Sequence, residues 1–201
     1  MSKSYRSKPE HIIAKSNIAR DADGHILMPH IIQRKPAYGD IHPIDKSTIK
    51  IILRKIPIEY VYGLKRIELR TRDGKYGRLK WSQPLGYYLP TEKTIWLYSY
   101  PIHGSVEGAT LEEVRDSLCA FSEFGFAPDL HKKKDNVIEY HWPNHFGLGL
   151  WYSRLLFHEL GHHFVEQYRH KNSRIKDWEQ EELVANLHRS RMFREQILSI
   201  F

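Results

Sequence analysis

The chain has 201 residues, 41% of them hydrophobic, and a formal charge of +7. That suits one domain with enough apolar residues for a core, and the absence of any run of about eighteen apolar residues excludes a transmembrane helix. The stretch Met1 to Lys8 has no apolar segment of the secretory kind, and the single cysteine, Cys119, leaves no internal disulfide, so the expectation is a cytosolic protein with no membrane partner.

Residues 1–45 are polar, basic and turn-rich, with Asp21-Ala22-Asp23-Gly24, Lys35-Pro36 and His42-Pro43 as breakers. They read as a basic N-terminal arm lying on a domain that spans 46–201. Basic residues gather in the first twenty positions, at Lys132-Lys133-Lys134 and between Arg169 and Lys176. Such a surface admits a nucleic-acid partner. A plain solvated surface is preferred, because no RRM, KH, zinc-finger or helix-turn-helix pattern is legible.

Ile49, Ile51, Ile52 and Leu53 fit either a strand or a helix. Pro57 to Gly63 reads as a short helix with proline in its first turn and glycine past its end. Arg66–Arg70 alternates as a strand, and a turn at Asp73-Gly74 leads to another over Tyr76–Trp81. Thr94–Tyr98 follows as a strand. Thr110-Leu111-Glu112-Glu113 is a capping box opening a helix to about Phe124, stopped by Gly125. Cys119 sits among Leu118, Ala120 and Phe121 and reads as a small buried hydrophobe. Val137–Trp142 alternates as a strand ended by Pro143. One of 94–98 and 137–142 is expected as the free edge on which an extended peptide would pair. His141 and His145 read as surface or cleft-rim residues.

Leu150 to Phe164 reads as one buried helix containing His158-Glu159-Leu160-Gly161-His162. Histidines at i and i+4 share a helix face and can converge on one Zn²⁺, with the glutamate between them placed to act on a water. In a chain with 13 histidines the pattern alone is suggestive, and its apolar setting strengthens it. Gly161 costs about 1 kcal/mol against alanine in a helix interior; its presence suggests that a substrate strand or a second helix approaches the backbone there. His163 points away from the shared face.

A catalytic zinc needs a third protein ligand and an open position. A metzincin would place Gly and His where this chain has Val165 and Tyr168, so that class is excluded. A glutamate from a following helix is the other common solution. A polar turn at His170-Lys171-Asn172-Ser173 and a helix over Ile175–Leu198 supply it. Leu183, Val184, Leu187, Met192, Ile197 and Leu198 would form that helix's apolar side, and Glu179, Glu182 and Asn186 share another face.

His158-Glu159-Leu160-Gly161-His162 followed by Glu182-Leu183-Val184-Ala185-Asn186 resembles the gluzincin zinc peptidases, and among them the ImmA/IrrE-type metallo-endopeptidases. Gly86-Tyr87-Tyr88 and Ile95-Trp96-Leu97 are similar to the hairpin that precedes the active-site helix in that family. The resemblance implies a minimal zincin-like α+β domain, with a small mixed sheet followed by an active-site helix and a second antiparallel helix. It implies zinc on His158, His162 and Glu182, Glu159 as general base, and Asn186 orienting a ligand histidine. Glu181, offset by about 100° around the helix, is the competing ligand; His188 and Tyr168 are candidate donors to the oxyanion. The implied activity is limited endoproteolysis of a protein substrate. The alternative is a zinc-stabilised binding protein with little or no catalysis, and the intact Glu159 argues against it, since a structural zinc site needs no base.

Overall fold

The structure is a computed structural model that describes residues 27–72, 78–80, 84–119, 126–133, 137–168 and 177–196. The fold is α+β. Strands β1 (His30–Gln33), β3 (Arg66–Arg70), β6 (Thr94–Tyr98) and β5 (Gly86–Leu89) form one sheet in the order β1-β3-β6-β5. β1–β3 and β3–β6 are parallel and β5–β6 is antiparallel. A second sheet has the order β4-β8-β10-β9, built from β4 (Arg78–Lys80), β8 (His103–Glu107), β10 (Val137–His141) and β9 (Asp129–Lys132). The short β2 (Asp40–Ile41) and β7 (Tyr100–Pro101) pair with each other. The helices are α1 (Lys46–Lys55), α2 (Leu111–Leu118), α3 (His145–Tyr168) and α4 (Trp178–Gln196).

The ambiguous isoleucine run is α1. Asp45 caps it by accepting the Thr48 N–H at 2.7 Å, and Ile49, Ile52 and Leu53 form its buried stripe. The Pro57–Gly63 segment contains a single 3₁₀ turn, Ile58–Tyr60, after which Gly63 adopts a left-handed φ of 78°. The capping box on α2 is closed in both directions between Thr110 and Glu113. The 86–98 hairpin turns through Lys93, at φ 51°.

Part of the segment expected as an arm belongs to the core. β1 pairs beside β3, and Ile31 and Ile44 are buried. Asp40 is buried too: Arg72 donates to it from Nε at 3.1 Å and from a second nitrogen at 3.2 Å, and Ser99 Oγ donates at 2.9 Å. The domain's packing therefore begins before Lys46, because burying the Arg72 guanidinium requires its carboxylate. Residues 1–26, the Asp73-Gly74 turn, the helix end near Phe124 and Gly125, the 170–173 turn, and Ile197 and Leu198 lie outside the described residues.

α3 is buried around most of its middle: Leu148, Leu150, Trp151, Tyr152, Leu156, Phe157 and Leu160 all belong to the core. A helix buried over most of its circumference needs partners on most of its sides. The Tyr152 hydroxyl donates to the Tyr98 carbonyl of β6. Trp151 Nε1 donates to the Ser117 carbonyl of α2 at 3.0 Å. α4 returns antiparallel across it, with Phe193 against Phe157 and His188 against Phe164.

α4 starts at Asp177, whose carboxylate accepts the Gln180 N–H at 2.9 Å. Its buried face differs from the expected one. Ala185 and Met192 are buried, whereas Leu183 and Leu187 are 62% and 61% exposed. Leucine count is a poor guide here, because close helix contact selects the small residue and turns the leucines outward. No helix among the described residues is long and apolar enough to cross a membrane.

Candidate metal centre

Arg154, His158 and His162 succeed one another at four-residue spacing and so share one face of α3. Glu182, Asn186 and Arg189 share the facing side of α4. The helices meet at Gly161 and Ala185. A Cβ added at Gly161 would lie 2.8 Å from the Ala185 carbonyl oxygen and 2.9 Å from its Cα. The close approach suspected from that glycine is thus a second helix. It brings Glu182, one turn before Ala185, over the two histidines.

His158 Nε2 and His162 Nε2 are 3.1 Å apart. Glu182 Oε1 is 3.3 Å from the first, and Glu182 Oε2 is 3.3 Å from the second. Ligands about 2.0–2.1 Å from a tetrahedral zinc lie about 3.3 Å from one another. Glu182 meets the two imidazoles with different oxygens, and one ligand atom from each of the three side chains lies within 4.8 Å of the others, so together they could hold a metal ion. Buried Glu182 Oε2 has no hydrogen bond among the described residues, nor does His158 Nδ1. An ion would supply that oxygen with a direct ligand bond. Burial pushes the His158 pKa down, opposed by Glu182, which favours the neutral imidazole that binds metal.

Glu181, the competing ligand, has another position: its Oε1 lies 3.3 Å from His162 Nδ1. A proton on Nδ1 shared with that carboxylate leaves Nε2 as the lone pair facing the cluster. The orienting contact expected of Asn186 therefore comes from Glu181, while Asn186 lines the adjacent cleft. Glu179 is exposed.

Glu159 is 5% exposed. Burial pushes its pKa up to about 8, the charge of Glu182 adds to the effect, and a bond from the Tyr88 backbone N–H opposes it. A Cβ at Gly86 would lie 3.0 Å from Glu159 Oε1 and 3.0 Å from Leu155 Cγ. Glycine at the start of β5 thus makes room for the carboxylate. β5 is also held from behind. His163, fully buried, receives a hydrogen bond from the Tyr88 hydroxyl on Nδ1 at 3.0 Å and donates from Nε2 to the Tyr62 carbonyl at 2.9 Å.

Neither strand expected as the free edge is one. Thr94–Tyr98 is flanked by β3 and β5, and Val137–His141 by β8 and β9. The edge beside the histidines is β5, because the hairpin folds its first strand outward over α3. A cleft of about 440 Å³ runs along β5, between Gly86-Tyr87-Tyr88 and the side chains of His158, Glu159, His162 and Glu182.

Other histidines lie elsewhere. The Tyr60 hydroxyl and His188 Nδ1 share a hydrogen bond of 2.6 Å, and the half-buried imidazole lies tilted against Phe164. His141 is exposed on β10 opposite His103, and His145 is exposed at the start of α3. The Tyr168 side chain lies outside the described residues. Cys119 is a free, partly buried thiol whose pKa burial pushes up. Sequence reasoning missed Arg154, one turn before His158 on α3, and Arg189, two turns after Glu182 on α4, both lining the cleft beside Asn186.

Comparison with known proteins finds no family model, no curated protein and no solved structure that matches the chain.

Proposed function

We propose that the chain is a zinc-dependent endopeptidase of the gluzincin kind, as its resemblance to the ImmA/IrrE-type enzymes implies. The observation that carries the reading is the spacing of His158, His162 and Glu182 with the Glu159 carboxylate in the same cleft. Those three side chains would hold the ion, with Glu181 fixing the His162 ring. Zinc bound there would supply an acidified water and a Lewis acid for the scissile carbonyl. Glu159 takes the proton of the attacking water and returns it to the departing amine. Its buried position, with one bond from the Tyr88 N–H, limits where that carboxylate can point. β5, an edge strand over the cleft, offers its open side to an extended peptide, which would gain main-chain hydrogen bonds along it.

The test is cleavage of a quenched fluorescent peptide library by zinc-loaded wild type and Glu159→Gln. The variant is expected to keep its zinc and to lose cleavage by about a hundredfold or more. Equal behaviour of the two proteins in every cleavage assay would refute the reading.

A further inference from the structure

The second sheet carries two histidines that the zinc reading leaves unused. In β8 and β10 alternate side chains face the core, and Val106, Ile138 and Tyr140 are buried. The positions between them face outward, and His103 and His141 are both exposed there. The two stand directly opposite one another in the antiparallel pair. In the next pair along, the Trp142 N–H donates to the Ile102 carbonyl at 2.9 Å. Hydrogen-bonded and non-hydrogen-bonded pairs alternate along an antiparallel ladder, so His103 and His141 form a non-hydrogen-bonded pair, the kind in which side chains lie closest. Their ring centroids are 6.1 Å apart, with the planes at 43°. Neither ring makes a hydrogen bond among the described residues. On the far side of His141, β9 places the exposed Asp129 in the same row. Lys133, nearby, is answered by Glu139 at 3.2 Å.

We propose that His103 and His141 form a cross-strand chelate for a divalent transition-metal ion, a site separate from the His158, His162 and Glu182 cluster and independent of the peptidase reading. With a metal–nitrogen bond of about 2.0–2.1 Å, each ring centroid lies about 3.2 Å from the ion, so two rings sharing one ion have centroids at most about 6.4 Å apart. The observed 6.1 Å is inside that limit, and a modest turn of either ring brings it to the about 4.5–5.2 Å of cis or tetrahedral ligation. Imidazole nitrogens suit Cu²⁺, Ni²⁺ and Zn²⁺, with Cu²⁺ bound tightest, and do not suit Ca²⁺ or Mg²⁺. Water completes the coordination, and the Asp129 carboxylate adds negative charge beside the ion. Once one ring has bound, the second bond is intramolecular, so the pair outbinds a single surface histidine by about a hundredfold. An ion held this way clips β8 to β10 and stabilises the folded chain by mass action.

The experiment is equilibrium dialysis of the full chain, pre-incubated with zinc, against Cu²⁺ held in a weakly chelating buffer. Wild type is compared with His103→Gln, His141→Gln and His131→Gln. His131 serves as the control because it is an exposed histidine of β9 that stands opposite Glu139. Zinc assayed on the same samples identifies any copper that has entered the His158 cluster. The expected result is that wild type binds one Cu²⁺ that His103→Gln and His141→Gln each hold about a hundredfold more weakly, while His131→Gln matches wild type. The electron paramagnetic resonance spectrum of that copper should show splitting from a pair of imidazole nitrogens. With Cu²⁺ at about a hundred times its Kd, the wild-type Tm should rise by roughly 5 °C or more, and the two chelate variants should not follow. Copper binding by either chelate variant equal to wild type, an equal loss in His131→Gln, or splitting from a single nitrogen would overturn the site.

Discussion

Replacing Gly161 with alanine perturbs the helix crossing on which the proposed metal centre depends. In an isolated helix the change would stabilise by about 1 kcal/mol. Here the new Cβ would meet the Ala185 backbone at 2.8–2.9 Å, about half an ångström inside ordinary van der Waals contact. The obstacle is main chain, so no rotamer change relieves it, and α4 must move away from α3. Overpacking of this kind costs about 1–3 kcal/mol. Against the propensity gain the net expectation is a loss of about 1 kcal/mol, a fall in Tm of about 2–4 °C for a chain of this length. The larger effect falls on metal binding. Glu182 lies one turn from Ala185 and spans both histidines at 3.3 Å, and ligand distances tolerate only about 0.2 Å of error. Zinc affinity, read by competition with a chromophoric chelator, should fall at least about tenfold. Ala185→Gly should not rescue it, since the collision is with the Ala185 backbone. A Gly161→Ala protein that is more stable by the full propensity gain, with unchanged zinc affinity, would refute the crossing as the device that assembles the site.

Other perturbations have equally direct outcomes. Asp40→Ala removes the carboxylate that faces the buried Arg72 guanidinium and should cost about 3–5 kcal/mol in denaturant unfolding, with part recovered in Asp40→Ala/Arg72→Met. His163, held neutral by burial with a folded-state pKa of about 4 against an ordinary 6.5, contributes its stability fully above about pH 6.5 and loses it as pH falls toward 4. The wild-type minus His163→Gln difference in unfolding free energy should therefore shrink between pH 7.5 and 4.5, by up to about 3 kcal/mol; a difference that grows on acidification would contradict the buried neutral ring. Gly86→Val pushes against Glu159 and Leu155 and should reduce cleavage strongly while leaving zinc content near wild type.

Much of the site's chemistry is local in sequence. His158 and His162 need only helical spacing to share a face, and the Thr110–Glu113 box needs only one turn, so both are legible without a fold. What sequence does not display is which groups meet across long separations. The choice between Glu181 and Glu182 depends on the crossing at Gly161 and Ala185, and the sequence signals only that something approaches Gly161. The two carboxylates then divide the tasks, Glu182 spanning the Nε2 atoms and Glu181 facing Nδ1 of His162. The edge strand was misplaced for a similar reason: alternation reveals a strand but not its neighbours. β1 was hidden in a polar, turn-rich segment because its register is set by parallel pairing with Arg66–Leu69, not by its own pattern. The exposure of Leu183 and Leu187 follows from the same small-residue contact that brings α4 against α3.

The most direct measurement is elemental analysis of purified wild type beside His158→Ala, Glu182→Ala and Glu181→Ala. The account predicts about one zinc per chain in wild type, loss in His158→Ala and Glu182→Ala, and retention at lowered affinity in Glu181→Ala. Wild-type protein that neither carries zinc nor takes it up when added, or that loses it with Glu181 and keeps it without Glu182, would contradict the account.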